Sequence, residues 1–367
     1  MCTSNTMRAV PVLVALLLAV SLQPSESTSA RCTLTAAGGG VVVGTCAVSN
    51  YPGFVAIGGG PSAGTLPGSY ISYKIDANKR SIRFMCGSDL DELTISGSVY
   101  SDQILDSCAP PLLEIVGCNN STVSSSTWTG IKRNIDAPGG CTPSEYGPCI
   151  SVTGVIRQTI EWFFFSTKNT FTSVVVDSSA VTRRGGAISL ERKEAPGKMT
   201  TKVVGSTFTT VSCGSGGAIQ STDAHLLVRN STFTTDLAVR GGAINFRSTD
   251  FPERLNNIDV IFDKPLVIQK CTFTTGTASD QGGMIAVYRG NFSTADSTFT
   301  TGHAKDRMGQ CVWLDQCSSY TEHQIQRNTF TACSKTFTTW CRPHDGNVFT
   351  SCGIEGPPEC STQFPSR

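Results

Sequence analysis

Two short strings recur in a fixed order along the second half of the chain, and this repeat constrains the fold more than any other feature. The first string is Thr-Phe-Thr, and its aromatic residues are Phe171, Phe208, Phe233, Phe273, Phe299 and Phe330. The second string pairs two glycines with a small residue or methionine and an isoleucine, at Gly185-Gly186-Ala187-Ile188, Gly216-Gly217-Ala218-Ile219, Gly241-Gly242-Ala243-Ile244 and Gly282-Gly283-Met284-Ile285. Two linked motifs in constant order predict a repeat architecture.

The spacing of the aromatic residues indicates the kind of repeat. Phe208 and Phe233 are 25 residues apart, and Phe273 and Phe299 are 26 apart. These periods are typical of one turn in a solenoid of short strands. Two longer intervals contain polar inserts, near residues 191–197 and 249–254, and such inserts fit loops that leave the coil.

Residue type favours strands over helices. Thr-Phe-Thr alternates with a period of two, and the β-branched threonine favours extended backbone. We therefore expect each phenylalanine to face inward and stack on the next coil, with its threonines outside. The glycine pair would turn the chain, because glycine adopts positive φ at little cost, and the isoleucine after it would join the core. The sequence predicts an all-β parallel β-helix over residues 151–360.

The first part of the chain is less regular. Residues 31–150 are rich in glycine and cysteine, and we expect them to form β structure that caps or starts the helix. A separate domain remains an alternative for this region. The apolar run from Trp162 to Phe165 is predicted to lie in the core, and residues 361–367 form a short tail.

Residues 1–30 have the layout of an export signal. Arg8 precedes an apolar run from Val10 to Leu22, and Thr28-Ser29-Ala30 offers small residues for cleavage. The run of 13 residues is shorter than the roughly 20 that a membrane-spanning helix needs. The sequence therefore predicts a secreted protein, free or associated with a cell surface, with no transmembrane segment after cleavage.

Cysteine usage agrees with export. The chain has 16 cysteines, of which Cys2 would leave with the signal. Cysteines in an oxidising compartment pair by default, and an odd number leaves at least one thiol free or bonded to another chain. The pairing pattern stays open at this point. Candidate glycosylation sites of the Asn-x-Ser/Thr type are Asn119, Asn120, Asn230 and Asn291.

Charge and motifs narrow the function classes. The net charge is +1, so the sequence gives no electrostatic footprint for nucleic acid. It also lacks the paired acids, nucleophile elbow and zinc spacing that enzymes of the common classes need. We therefore predict no catalytic residue, no metal site and no cofactor. Two alternatives remain open, a β-helix polysaccharide lyase or glycoside hydrolase and an ice-binding protein that uses rows of Thr-x-Thr.

The paired Phe-x-x and Gly-Gly-Ala-Ile motifs resemble the repeats of the polymorphic outer-membrane proteins of chlamydiae, over roughly residues 165–350. This resemblance implies a right-handed parallel β-helix, an adhesin-like role and an extracellular carbohydrate or protein partner. Candidate contact loops are residues 192–198 and 251–257. Two departures matter. The family's asparagine three residues after phenylalanine is absent, with Cys333 and Cys352 there in two copies, and the family's membrane barrel is missing.

Overall fold

The chain folds into stacked β-strands. The computed structural model describes residues 28–38, 40, 42–58, 62–76, 81–87, 91–134, 147–154, 162–176, 184–192, 199–248, 265–288, 290–305, 309–314, 323–333 and 348–350. These ranges contain strands and turns but no helix, and most strands pair in parallel with the coil on either side. The predicted all-β parallel β-helix is confirmed. Within the same ranges there is no helix with the length and apolarity needed to cross a bilayer.

The strands are short and follow one another closely. Those up to residue 134 are β1 (Ser29–Ala36), β2 (Val43–Val48), β3 (Phe54–Ile57), β4 (Ser62–Thr65), β5 (Ile71–Asp76), β6 (Ser81–Cys86), β7 (Glu92–Ser96), β8 (Val99–Ser101), β9 (Ile104–Leu105), β10 (Leu113–Val116), β11 (Asn120–Ser124), β12 (Thr127–Thr129) and β13 (Lys132–Arg133). The middle strands are β14 (Ile150–Gly154), β15 (Trp162–Thr167), β16 (Thr170–Val176), β17 (Ile188–Arg192), β18 (Met199–Val204), β19 (Thr207–Ser215), β20 (Ile219–Thr222), β21 (His225–Arg229), β22 (Thr232–Thr234), β23 (Leu237–Arg240) and β24 (Ile244–Arg247). The last strands are β25 (Pro265–Gln269), β26 (Thr272–Thr274), β27 (Thr277–Gln281), β28 (Ile285–Tyr288), β29 (Asn291–Ala295), β30 (Thr298–Thr300), β31 (His303–Ala304), β32 (Val312–Leu314), β33 (His323–Gln326), β34 (Thr329–Thr331) and β35 (Val348–Thr350).

Each coil contributes strands to two sheets. The larger sheet, sheet A, holds the strand before each Thr-Phe-Thr string, the string itself and the short strand after it. The smaller sheet, sheet B, takes one strand from each coil, and in β17, β20, β24 and β28 this strand follows the glycine pair. Its parallel rungs run in the order β6, β10, β14, β17, β20, β24, β28 and β32.

The parallel stack begins within residues 31–150. Strands β1, β2 and β3 pair antiparallel, as do β4, β5 and β6. Parallel pairing then starts at β1 with β7 and at β6 with β10, and it continues through β10 and β14 without a break. Strand β1 already starts at Ser29, and Ala30 is buried. Cleavage after Ala30 would therefore remove the first two residues of this strand.

A column of stacked aromatic rings fills the interior along sheet A. From Phe171 to Phe330 the ring centroids of adjacent coils lie 4.6–5.0 Å apart with nearly parallel planes. Two earlier coils extend the column through Trp128 and Tyr100, whose rings lie 4.0 Å apart. All these rings are buried. Offset aromatic stacking adds to the hydrophobic gain from burial, so the column ties each coil to the next.

A row of polar side chains, which we call the polar ladder, runs beside this column. Its members occupy the residue two before each aromatic ring, and all are buried: Ser98, Ser126, Asn169, Ser206, Ser231, Cys271, Ser297 and Asn328. From Ser126 onward these side chains accept a hydrogen bond from the backbone N–H of the ladder residue one coil earlier, as Ser231 Oγ does from Ser206 at 3.2 Å, and Ser98 Oγ accepts from Leu34. The hydroxyl in turn donates to the carbonyl two residues before it. The ladder thus satisfies backbone groups at a corner where strand pairing is interrupted.

The two glycines of the second string are needed for different reasons. The first has positive φ in every described copy, 62° at Gly216 for example. The second sits against the neighbouring coil, because a Cβ on Gly217 would lie 2.0 Å from the carbonyl oxygen of Gly242. Any side chain at the second position would force adjacent coils apart.

Disulfides occur at both ends of the described stack. Cys32 bonds with Cys46, Cys86 with Cys118 and Cys311 with Cys333, and Cys108 is also oxidised. Cys333, one of the two cysteines in the place of the family's asparagine, thus ties the last coils together. Cys149 and Cys271 are buried thiols in the interior.

The apolar run before Phe171 is divided between the two faces of β15. Phe164 is buried in the core, whereas Phe163 and Phe165 lie half-buried on the outer face. Their rings are 6.4 Å apart and nearly parallel, and the Lys202 ammonium lies 5.3 Å from the Phe165 centroid. Strict alternation along a strand explains why only one of the three rings can join the core.

Candidate functional site

The outer face of sheet B carries polar residues at positions that are nearly inaccessible to water. On the rungs from β14 to β32 the isoleucine or valine points inward, so the residue after it points outward. We call these outward residues the outer row, and they are Ser151, Ser189, Gln220, Asn245, Ala286 and Trp313. All are less than 9% exposed. Solvent-facing positions on a sheet are ordinarily exposed, so this row is recessed.

Four members of the outer row bury oxygen atoms that have no hydrogen-bond partner among the described residues. These atoms are Ser151 Oγ, Ser189 Oγ, Gln220 Oε1 and Asn245 Oδ1. A buried polar atom without a partner costs roughly 1–3 kcal/mol. Apolar residues of similar size would avoid this cost at the four adjacent rungs, although other buried side chains such as Ser121 and Thr201 also lack partners among the described residues.

Side chains from either side of sheet B reach across the outer row. Arg184 precedes strand β17 and Glu191 lies near its end, and the two form an ion pair of 2.8 Å on either side of the rung of Ser189. The Tyr288 hydroxyl donates to Gln281 Oε1 on either side of the rung of Ala286. We call these contacts the first and second bridges. Each joins residues seven apart, which flank the same rung.

On the two rungs between the bridges, the described residues that flank the strand at the same spacing form no such contact with each other. The corresponding pair on β20 is Ser215 and Thr222, whose side chains are short. On β24 the pair is Arg240 and Arg247, which carry the same charge and cannot form an ion pair. Arg240 instead bonds with Asp280 of the next coil at 2.9 Å, and its guanidinium lies 5.6 Å from the Tyr288 ring centroid. We call the rungs of Gln220 and Asn245 the window.

Carboxylates on this face are held by arginines. Glu114 pairs with Arg83 at 2.7 Å and Glu191 with Arg184, and on neighbouring strands of sheet A Asp280 pairs with Arg240. Inside the coil, burial raises the pKa of Asp236 well above its usual value, and a bond from the Val211 N–H only partly offsets this. The described residues contain no group of three or more histidine, cysteine or acidic side chains placed to hold a metal ion.

A second ordered surface lies on the outside of sheet A. The threonines on either side of each inward aromatic ring align in register from coil to coil. One row contains Thr127, Thr170, Thr207, Thr232, Thr272, Thr298 and Thr329, and the other contains Thr129, Thr172, Thr209, Thr234, Thr274, Thr300 and Thr331. The inserts between coils leave this register unbroken.

The candidate residues of the sequence analysis lie in different parts of the fold. The aromatic residues and the isoleucines Ile188, Ile219, Ile244 and Ile285 are buried. Asn230 is exposed at a corner with φ of 50°, Asn120 and Asn291 are half-buried, and Asn119 is buried at 8% exposure. Of the candidate contact loops only Arg192 is described, and residues 193–198 and 251–257 lie outside the described ranges.

Sequence reasoning did not identify the polar ladder, the outer row or the bridges. The ladder had a usable signal, since serine, asparagine or cysteine stands directly before each Thr-Phe-Thr string. The outer row had none, because the residue after each isoleucine changes from copy to copy. The residues of each bridge are seven apart in the sequence and flank the strand that follows the glycine pair. This spacing can be recognised only once the coil is known.

Comparison with known proteins leaves the chain without identified relatives. No family model, curated protein or solved structure matches it at a significant level. The resemblance to the chlamydial repeats therefore rests on the two recurring motifs alone.

Proposed function

We propose that this chain is a secreted, non-enzymatic binding protein that uses the outer face of sheet B to hold an extracellular carbohydrate or protein. The observation that carries the proposal is the outer row, where buried oxygens lack partners on consecutive rungs. Residues that break a local stability rule without compensation mark candidate functional positions. Disulfides and the adhesin-like motifs add support for an extracellular role.

The arrangement of charge on this face favours binding over catalysis. Hydrolysis of a glycosidic bond needs one carboxyl group that stays protonated and a second that stays ionised, both beside the substrate. On the outer face of sheet B the described carboxylates that form ion pairs, Glu114 and Glu191, do so with arginines, which favours the ionised form. Asp236, whose pKa is raised, is 2% exposed and lies inside the coil.

The test is a binding assay run beside a turnover assay. Purified mature protein is applied to cell surfaces and immobilised extracellular polymers, and the same protein is incubated with pectin and neutral polysaccharides. We expect saturable binding without release of reducing or unsaturated ends. Steady release of oligosaccharide would establish the lyase or hydrolase alternative, and absence of binding to every surface would contradict the proposal.

The threonine rows support ice binding as a second candidate. Adjacent strands lie about 4.8 Å apart, and side chains two residues apart on a strand are separated by about 6.6 Å. Seven consecutive coils therefore present hydroxyl and methyl groups on a regular lattice. Thermal hysteresis of the purified protein, lost in Thr234→Tyr/Thr274→Tyr, would support this function. Freezing behaviour equal to that of an unrelated protein would exclude it.

A further inference from the structure

We infer that the end of the β-helix formed by strands β1 to β5 is an interface between two copies of this chain, which pair through strand β3. This inference goes beyond the proposed binding function and does not depend on it. Both sheets end here in edge strands, because β3 pairs only with β2 and β4 only with β5 among the described strands. An edge strand presents backbone N–H and C=O groups with which a further strand can pair.

The same end of the molecule lacks charge. Residues 32–73, which cover β2 to β4 and parts of β1 and β5, contain no lysine, arginine, histidine or acidic residue, although charged residues make up 16% of the chain. Solenoids ordinarily need a polar cover on their terminal coils, and edge strands are usually protected by charge. Net charge helps to keep soluble proteins apart, so a surface without charge does not repel a copy of itself.

Exposed aromatic side chains lie in this uncharged region. Phe54, the first residue of β3, is 77% exposed, and Tyr70 is 64% exposed. The turns that carry Tyr51 and Tyr70 are in contact, because a Cβ on Gly68 would lie 3.2 Å from the Cβ of Asn50. Tyr51 is exposed as well. Large aromatic side chains supply much of the free energy of association when an interface buries them.

The alternation of side chains along β3 indicates a register for the pairing. Phe54 and Ala56 are exposed, whereas Ile57 is buried and Val55 packs against the core. Residues directly opposite each other in an antiparallel pair lie on the same face of the sheet, so a two-fold axis can pass through Val55. This register sets Phe54 against the small Ala56 of the second copy. Phe54 has another small residue, Ala47, as its neighbour on β2.

The edge is held in place by the strands behind it. β1, β2 and β3 pair antiparallel, and the Cys32–Cys46 disulfide joins β1 to β2. A second copy of β3 in antiparallel orientation would therefore continue the strand order already present at this end. A preorganised edge also loses little conformational entropy when it pairs.

The test places a charge on the edge without altering the core. Ala56→Lys and Ala56→Glu each put a long charged side chain at an exposed position, opposite Phe54 of the second copy and diagonal to residue 56 of that copy. Ala295→Lys on β29 is the matched control, because that strand already pairs on both sides. Purified mature protein and each variant are studied by sedimentation velocity over a concentration series, with circular dichroism to verify folding.

We expect the wild-type protein and Ala295→Lys to form a reversible dimer, and Ala56→Lys and Ala56→Glu each to raise its dissociation constant by at least about tenfold. An equimolar mixture of the two Ala56 variants should recover most of the association, because opposite charges then meet across the diagonal.

A wild-type protein that stays monomeric throughout the series overturns the inference. A dimer that the Ala56 variants leave unchanged, or one joined by a disulfide on a non-reducing gel, overturns it as well. Monomers that bind neutral phosphatidylcholine vesicles through Phe54 would assign the same surface to a lipid and would also contradict the inference. None of these results bears on the proposed binding function, which the binding and turnover assays test separately.

Discussion

Serine and asparagine side chains are buried in two places on the same coils, in the polar ladder beside the aromatic column and in the outer row of sheet B. In the ladder, Ser206 Oγ accepts from the Asn169 N–H and donates to the Val204 carbonyl. In the outer row, the hydroxyl of Ser189 has no hydrogen-bond partner among the described residues. Burial alone therefore does not distinguish a structural polar residue from a functional one. Hydrogen-bond satisfaction separates the ladder from the outer row, although Tyr100 Oη and Trp128 Nε1 in the aromatic column also lack partners among the described residues.

The two regions also differ in how they repeat. The ladder keeps a side chain that can accept a hydrogen bond at each position, because the same backbone group needs a partner on each coil. The outer row changes from serine to glutamine to asparagine to alanine, so its chemistry differs at each rung. A constant row indicates a demand of the fold, and a varied row on a regular scaffold is typical of a recognition surface.

The largest expected effect is in the aromatic column. Phe233 stacks between Phe208 and Phe273 at 4.7 and 4.6 Å, so Phe233→Ala should lower the free energy of unfolding by roughly 3–5 kcal/mol. The control is Thr234→Ala on the outer side of the same strand, which should cost under about 1 kcal/mol. Chemical denaturation measures both. Similar losses for the two variants would contradict the inward and outward assignment.

Asp236 extends the comparison, because it is a carboxyl group inside the coil with one oxygen bonded to the Val211 N–H and the other without a partner among the described residues. Burial raises the pKa of its carboxyl, so the folded state binds the proton more tightly than the unfolded state. The protonated carboxyl therefore stabilises the folded protein fully at pH values below the ordinary aspartate pKa. This stabilisation is lost as the pH rises towards the raised pKa of the folded state. We therefore expect Asp236→Asn to stabilise the protein at neutral pH and to flatten the pH dependence of its melting temperature. A destabilised variant with an unchanged pH profile would contradict this assignment.

The smallest expected effect concerns Cys271, which occupies a ladder position. Its backbone N–H donates to Ser297 Oγ at 3.1 Å, and its thiol contacts the Gln269 carbonyl oxygen at 3.3 Å. Cys271→Ser restores the usual ladder hydroxyl, so we expect a change in unfolding free energy within about 1 kcal/mol. Burial raises the thiol pKa to about 11, with backbone hydrogen bonds opposing the shift, so the native thiol should react slowly with disulfide reagents at pH 8. Rapid modification without unfolding would place Cys271 outside the ladder.

The sequence was sufficient to predict the parallel β-helix, because the repeated motifs indicate both the strands and the corners. Thr-Phe-Thr indicates which side chains face inward, and the glycine pair marks the corner that precedes sheet B. The start of the parallel stack was less visible, because Tyr100 and Trp128 continue the aromatic column without a glycine pair after them. Residues 31–150 therefore read as irregular although parallel coils already form there.

The candidate site could not be predicted from the sequence, because it depends on contacts between coils. Gln220 and Asn245 come together only when β20 and β24 pair in adjacent coils, and their unpartnered oxygens are visible only in the folded chain. Pairing of residues seven apart across a strand is not a pattern of helix or sheet by itself. The window follows from two bridges that form and two that cannot.

The most direct test compares the polar ladder with the window in one experiment. Ser206→Ala/Ser231→Ala leaves two buried backbone N–H groups without acceptors, so it should lower the free energy of unfolding by roughly 2–4 kcal/mol. Gln220→Met/Asn245→Leu leaves no new unsatisfied backbone group and should change the free energy of unfolding by less than about 1 kcal/mol or increase it. Denaturant unfolding of the two double variants beside the wild type measures the difference. A loss in the window equal to that in the ladder would show that the outer row is structural and would contradict the account.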